Sequence, residues 1–336
     1  MAVRAPTQTT GRATPGRTRP PDFFLIGVPR AATSSLYDAL GRHEQIHVGS
    51  VKEACFTCPD IDPHTRHRTP TRFLNDRDEY LALFRKAADD DLIGEGCTYN
   101  IYSPAAPGLI RGLNADARLL VQLRDPVEQM YSNHGHKVLM GDLGADFGRV
   151  VDEQAAARRG RTSQPLSMAD YDLRDKATVS PGLARFIADF GRKQLHVSLY
   201  DEYAADPQAV VRSILGFLGV ATEDVPQPEV SVAHREARWR RLNRTMASPR
   251  LIERAKRATP AAFQPLARRV AATVFQRNRR RAVRPPMPVP VRDRLRAEFR
   301  PEVERLSELL GRDLAAIWWS RSAADEQHDQ GSLGAE

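Results

Sequence analysis

Phe23-Phe24-Leu25-Ile26-Gly27-Val28-Pro29-Arg30-Ala31-Ala32-Thr33-Ser34-Ser35-Leu36 is the stretch that decides how this chain folds. Residues 23–28 (FFLIGV) form a short, unbroken apolar run, the pattern of a strand buried on both faces. Pro29 to Thr33 interrupts it. Thr33 or Ser34 can then cap a helix whose apolar face carries Leu36, Tyr37 and Leu40. The stretch therefore reads as a strand, a tight loop and a helix N-terminus. Such a helix end has free N–H groups and a partial positive charge, so it favours an oxyanion. Gly27, Ala31 and Ala32 are small enough for a phosphate to approach the backbone. Thr33, Ser34 and Ser35 add hydroxyl donors, and Arg30 adds a permanent cation with a planar fork of donors.

The same organisation continues on the C-terminal side. Residues 46–48 and 92–94 read as short strands, 118–124 (RLLVQLR) as a longer one and 195–200 (LHVSLY) as a late one. Between them the apolar spacing predicts helices over 78–88, from 103 or 104 to about 113, from 127 to about 139, and over 150–159, 181–190 and 207–218. A last helix is expected over 301–310, docked by Trp318 and Trp319. Residues 141–149 read as a break, 160–179 as an irregular loop over the ligand, and 285–290 as a stiff connector. Strands alternating with helices predict an α/β fold of three layers: a central parallel sheet flanked by helices, with a helical C-terminal part. Such sheets bind ligands at the carboxyl ends of their strands. One domain is expected over 22–320, with a disordered basic tail over 1–21 and a flexible tail over 321–336.

Composition narrows the partners. The chain has 336 residues, 41% of them hydrophobic, enough for one large α/β core. No run approaches the ~18 apolar residues of a membrane span, and the start lacks the apolar core of a secretory leader, so a cytoplasmic location is expected. The net charge of +8 is mostly arginine, clustered late at 235–244 and 277–284. It suits a polyanion, either nucleic acid or a multiply charged small ligand. Cys55, Cys58 and Cys97 are too few for a disulfide framework. Cys55 and Cys58 form a C-x-x-C followed by His64 and His67, four side chains of types that ligate zinc. Their spacing matches no finger, and a surface loop with small apolar thiols and no metal is the expectation.

A second loop matters as much as the first. In residues 119–132 (LLVQLRDPVEQMYS), Arg124 leaves the end of a predicted strand and Ser132 follows about two helical turns later. The two can converge on one phosphate. The first loop does not fit the ATPase phosphate loop, because Ala32 replaces its second glycine and Thr33 stands where its lysine belongs. Both loops instead resemble the PAPS-dependent sulfotransferases, PAPS being 3′-phosphoadenosine 5′-phosphosulfate. Their first loop is broadly G-x-x-K/R-G/A-G/A-T-S/T-x-L, here with Arg30 for the more usual lysine. Their 3′-phosphate element is broadly L-R-D/N-P-x-D/E-R-x-Y/W-S. Arg124, Asp125, Pro126, Glu128, Tyr131 and Ser132 match it, and Gln129 replaces the second arginine. Lys52-Glu53-Ala54-Cys55-Phe56 resembles the K-E-x-x-F of the carbohydrate and bacterial branches. Gly94-Glu95, Tyr99 and Ser103-Pro104 resemble their G-E…Y…S-P segment. The stretches from Phe190 to Val220 and from Phe299 to Trp318 resemble their later elements. The resemblance covers about residues 22–320.

That resemblance implies in-line displacement at sulfur, from PAPS to a hydroxyl or amine of a carbohydrate, lipid or small-metabolite acceptor. Adenosine 3′,5′-bisphosphate is the product, and no metal is required. It implies that Arg30 meets the charge growing on the leaving phosphate and that Ala31, Ala32, Thr33, Ser34 and Ser35 hold the 5′-phosphate. Arg124 and Ser132 would hold the 3′-phosphate. Glu53 is the implied general base, with Lys52 beside it touching the sulfuryl group or tuning the carboxylate. His136, one turn beyond Ser132, is the competing base, as in the N-sulfating heparan enzymes. His134 is expected to be rotated away. The R-K-G element of the steroid and phenol enzymes is absent, and Arg235 and Arg238 are the candidates to supply its cation, with Trp239 to stack on adenine. Two other classes compete. A P-loop kinase needs a lysine at the position of Thr33, directly before Ser34, and an acidic Mg²⁺ site. A basic nucleic-acid-binding protein needs a recognised motif, and none appears; no nucleic-acid partner is expected.

Overall fold

The computed structural model describes residues 19–61, 73–158, 172–228, 235–237, 273–274, 278–281 and 284–320. Residues 1–18 and 321–336, where the two tails are expected, lie outside them. Five strands, β1 (Phe23–Gly27), β2 (Ile46–Val48), β3 (Leu92–Gly96), β4 (Arg118–Leu123) and β5 (Leu195–Leu199), build one sheet. Every pairing in it is parallel, and the order is β2-β3-β1-β4-β5. β1 sits at the centre and every one of its residues is buried, as an apolar run with no alternation requires.

Strand periodicity sends neighbours to opposite faces. Phe23 and Leu25 pack towards α1 (Thr33–Leu40) and α9 (Pro207–Leu218). Phe24 and Ile26 pack towards α3 (Ala106–Leu113), α7 (Ser180–Phe190), α10 (Val289–Leu310) and α11 (Leu314–Trp319). The expected three layers result. A third apolar cluster joins α10 to α4 (Pro126–Met140), α5 (Phe147–Arg158) and α6 (Leu173–Ala177). On the outer edge, α2 (Arg77–Leu81) continues into a 3₁₀ turn at Ala82–Phe84, and α8 (Tyr200–Ala205) follows β5. A short antiparallel pair, β6 (Arg235–Ala237) and β7 (Arg279–Arg281), lies beside α4. From β1 the chain winds to one side through β2 and β3, then crosses to the other through β4 and β5. The direction changes between β1 and β4, and the crevice of such a sheet opens at the carboxyl ends there.

Several elements differ from expectation. Helix α5 begins at Phe147, not 150, because Asp146 caps it by accepting the Arg149 N–H (3.0 Å). The segment read as a loop over 160–179 contains α6, capped by Asp172 through the Arg174 N–H (2.8 Å). The helix expected over 78–88 splits into α2 and its 3₁₀ turn. The last helix starts at Val289 and runs through Pro301. An interior proline costs roughly 3 kcal/mol, but Leu295, Phe299, Val303, Leu306 and Leu310 make one buried stripe across it that outweighs the loss. One glycine is dictated by close approach: a Cβ on Gly182 of α7 would lie 1.8 Å from the Ile101 carbonyl oxygen.

Candidate functional site

After β1 the backbone turns left-handed at Arg30 (φ 69°) and at Ala32 (φ 57°). Each costs an L-residue roughly 1–2 kcal/mol. Left-handed residues on either side of Ala31 form the kind of turn in which successive N–H groups line an anion-binding concavity. Ala32 is the N-cap of α1, and no side chain caps that helix. Thr33 and Ser34, expected as caps, instead occupy its first turn, because the left-handed Ala32 takes the boundary position. Ala31 and Thr33 are buried, Ser34 is exposed, and the Ser35 hydroxyl meets the Tyr203 hydroxyl at 2.8 Å.

The β4 loop closes on this turn. Arg124 donates from Nη1 to the Arg30 carbonyl (2.8 Å), stacks on the Tyr200 ring (4.0 Å) and reaches Glu128 at 3.7 Å. Its Nε is buried and makes no hydrogen bond among the described residues. Arg30 in turn donates from Nε to the Ser132 hydroxyl (3.1 Å). Arg30, Arg124 and Ser132 therefore form one contiguous cluster across two adjacent strand tips. Asp125 caps α4 by accepting the Val127 N–H (2.8 Å) and also accepts Trp319 Nε1–H (3.0 Å). Burial, then Glu128, pushes its carboxyl up to about 7. Burial would raise Glu128 too, but Arg284 and Arg124 outweigh it and hold it below its ordinary value.

Glu53 approaches from the third side. Its backbone is left-handed (φ 61°) and its N–H reaches the Gly96 carbonyl (2.8 Å). Its Oε2 accepts the Thr98 N–H (2.9 Å), and its Oε1 accepts the Thr98 hydroxyl (3.1 Å) and Lys52 Nζ (2.5 Å). Lys52 and Glu53 side chains are each 19% exposed. The carboxylate is thus fixed at the tip of β3 yet open to solvent on one side. Thr98 is the orienting residue, and only its place after Gly94-Glu95 hinted at it.

The remaining candidates scatter more. His136 is half-buried on α4, one turn past Ser132. His134 is buried, and its Nε2 pairs with the Gly144 carbonyl (2.8 Å), which gives it a structural task. Burial lowers its pKa. Arg235 lies in β6 opposite Arg281; Arg238 and Trp239 lie outside the described residues. Gln129 is buried, with Nε2 donating to the carbonyls of Pro29 (3.1 Å) and Lys176 (3.0 Å), so it braces the β1 loop where the resemblance would place an arginine. Lys176 had no signal in the sequence. It is 2% exposed, with Nζ 4.3 Å from the Tyr102 ring centre and 5.1 Å from that of Tyr99. Burial, then repulsion from Lys137, pushes its ammonium down to about 8. The Cys55–Cys58 loop is not at the surface: both residues are buried against Cys97. His64 and His67 lie outside the described residues.

No protein-family model matches the chain. It is 26% identical over 189 residues to the human and rat proteins named carbohydrate sulfotransferase 15. That match takes in 46% of this chain but 33% of theirs, so it spans a third of the curated relatives' length. A solved sulfotransferase from Alicyclobacillus acidocaldarius superposes with a TM-score of 0.65 at 25% identity, over 90% of this chain and 99% of that one. Among the described residues no helix is long and apolar enough to cross a membrane. The chain is thus similar in sequence to named carbohydrate sulfotransferases and, over nine-tenths of its length, in fold to a solved bacterial sulfotransferase, and the two likenesses together support a sulfotransferase family.

Proposed function

We propose that the chain moves a sulfuryl group from PAPS to a hydroxyl of a glycan acceptor. The observation that carries the reading is the junction of the β1 and β4 loops. There the uncapped start of α1, the Arg30–Ser132 pair and the unsatisfied Nε of Arg124 offer donors to a doubly phosphorylated nucleotide at adjacent strand tips. A buried donor without a partner costs about 1–3 kcal/mol, and a phosphate oxygen would relieve it. PAPS supplies the activated sulfuryl group and a phosphate leaving group. The chain's own residues do the rest. The α1 N-terminus with Thr33 and Ser34 holds the 5′-phosphate, and Arg30 offsets the charge that grows there. Arg124 and Ser132 hold the 3′-phosphate.

Glu53 takes the acceptor proton at its open side, and Thr98 keeps it aimed. Lys52 pairs with the carboxylate at rest and is assigned to the transferring oxygens. A hydroxyl rather than an amine is favoured because the Glu53 carboxylate is held in one orientation by the Thr98 N–H and hydroxyl. The names of the curated relatives support a sugar as the acceptor, and a cytoplasmic site of action is part of the same proposal.

Thermal denaturation with adenosine 3′,5′-bisphosphate, ATP–Mg²⁺ and an oligonucleotide tests the donor half, since a ligand specific for the native state raises Tm. Only the bisphosphate should do so, and Arg30→Ala or Arg124→Ala should abolish its effect. A larger response to ATP–Mg²⁺ would point to phosphoryl transfer, and one to the oligonucleotide to nucleic-acid binding. Transfer of radiolabelled sulfate from PAPS across glycan, lipid and small-molecule extracts then tests the acceptor.

A further inference from the structure

Directly behind Glu53, three thiols meet that the proposed transfer does not use. Cys55 and Cys58 come from the loop that carries Lys52 and Glu53; Cys97 is the first residue beyond β3, next to Thr98. Relative exposures are 1%, 0% and 0%. Cys97 Sγ lies 3.7 Å from Cys55 Sγ and 3.8 Å from Cys58 Sγ, and all three sulfurs fall within 4.8 Å of one another. A tetrahedral ion with metal–sulfur bonds of about 2.3 Å sets its sulfurs about 3.8 Å apart. C-x-x-C is also the spacing with which one loop commonly gives zinc two thiolates.

Two neighbours distinguish the cluster from ordinary thiol packing. Glu95 lies two residues before Cys97, hence on the same face of that strand. It is 1% exposed and lies near Cys58 and the Asn100 side chain, and neither of its oxygens has a hydrogen-bond partner of full geometry among the described residues. Lys176 places a buried ammonium near Cys55 and Cys58 and interacts electrostatically with both. Zn²⁺ with three thiolates carries one net negative charge, and a buried ammonium is the counter-charge that such a site needs. A disulfide fits less well. Its sulfurs stand about 2.05 Å apart, whereas Cys97 is almost equidistant from both partners and no pair is singled out.

We propose that Cys55, Cys58 and Cys97 are thiolate ligands of a structural zinc ion, with the Glu95 side chain beside the remaining coordination position and Lys176 as counter-charge. The ion would fasten the Lys52–Glu53 loop to the end of β3 and so fix the distance from Glu53 to Thr98. It takes no part in the transfer, and its presence does not depend on the donor or acceptor assigned above.

The full chain, purified reduced and without chelator, should carry about one zinc per chain by elemental analysis. Replacing zinc with Co²⁺ should give the intense near-ultraviolet band of sulfur-to-cobalt charge transfer. Cys58→Ser and Cys97→Ala should each lower the zinc content to background. If those variants do not fold, the wild-type cobalt spectrum decides alone. A folded wild-type chain that binds neither Zn²⁺ nor Co²⁺ would overturn the proposal. So would a cobalt spectrum without a thiolate band, or a Cys97 disulfide in the protein as purified.

Discussion

Glu53→Gln separates the base from the scaffold, because the contacts of Glu53 make the two effects differ in size. The variant keeps the side-chain shape. Its amide oxygen can take the Oε2 position and retain the Thr98 N–H bond, which a backbone donor cannot relinquish (2.9 Å). The amide nitrogen then occupies the Oε1 position, where the Thr98 hydroxyl can rotate and accept from it. What is lost is the Lys52 contact, an ion pair with each side chain about one-fifth exposed. Such pairs are worth about 1 kcal/mol or less, so for a chain of this size Tm should fall by about 2 °C. The rate should respond on another scale. A positioned general base contributes about 10²–10⁴-fold, or roughly 3–5 kcal/mol of barrier. Adenosine 3′,5′-bisphosphate should still raise Tm as in the wild type, since Glu53 touches neither phosphate loop. The assay is initial-rate sulfuryl transfer from labelled PAPS at saturating acceptor, alongside thermal denaturation of the same preparation. A variant within about threefold of wild-type kcat would refute the assignment of Glu53. His136→Gln would then be the substitution expected to abolish turnover.

Other expectations follow from single contacts. Gln129→Ala leaves the Pro29 carbonyl without its donor and opens a cavity at a residue 1% exposed; denaturant titration should show a loss of about 2 kcal/mol, with weaker bisphosphate binding because the β1 loop loses its brace. Asp125, pushed up to about 7 mainly by burial, holds a proton in the folded state that the unfolded carboxyl releases near pH 4. It therefore stabilises the fold fully below about pH 4 and loses that contribution as pH rises through 7. The stability of Asp125→Asn relative to wild type should thus climb between pH 4 and 7 and level off above, as read by unfolding midpoints. Gly182→Ala drives a Cβ into the Ile101 carbonyl at 1.8 Å, a backbone clash that should cost about 3 kcal/mol or more and show as a lower denaturation midpoint.

The sheet was legible because its signals are local. Apolar runs at 23–28 and 118–124 end in residues that cannot continue a strand, and that suffices to place the loops carrying Arg30 and Arg124 at strand tips. The role proposed for Lys52 and Glu53 rests on family resemblance; nothing in the spacing of a Lys–Glu pair marks a base. The features that escaped are tertiary. Lys176 sits in a segment whose composition reads as loop, and only the packing of α6 against Tyr99 and Tyr102 buries it. Cys97 is far in sequence from Cys55 and Cys58, and the parallel pairing of β2 with β3 brings them together. Spacing rules therefore offered His64 and His67 as their partners instead. The N-cap of α1 was misplaced because alanine in a left-handed turn has no sequence signature. Pro301 misled because its local cost is overridden by a stripe of side chains that only α10 as a whole presents.

The placement of charge suggests why the two loops lie so close. Arg30 and Arg124 bring two cations to adjacent strand tips, tied together by the hydrogen bond from the Arg124 guanidinium to the Arg30 backbone carbonyl. Arg124 is bound from several sides, by Glu128, the Tyr200 ring and the Arg30 carbonyl. Arg30 is exposed, stands on a strained turn and is hydrogen-bonded to a neutral hydroxyl, Ser132. An anion entering between the loops would therefore meet a fixed cation at β4 and an adjustable one at β1. Its binding would be drawn by both cations, a gain available only to a ligand negative at both contacts. On that reasoning a nucleotide with a single phosphate group should bind much more weakly than adenosine 3′,5′-bisphosphate. Raising the salt concentration should narrow the difference, because screening weakens the attraction that the second phosphate adds.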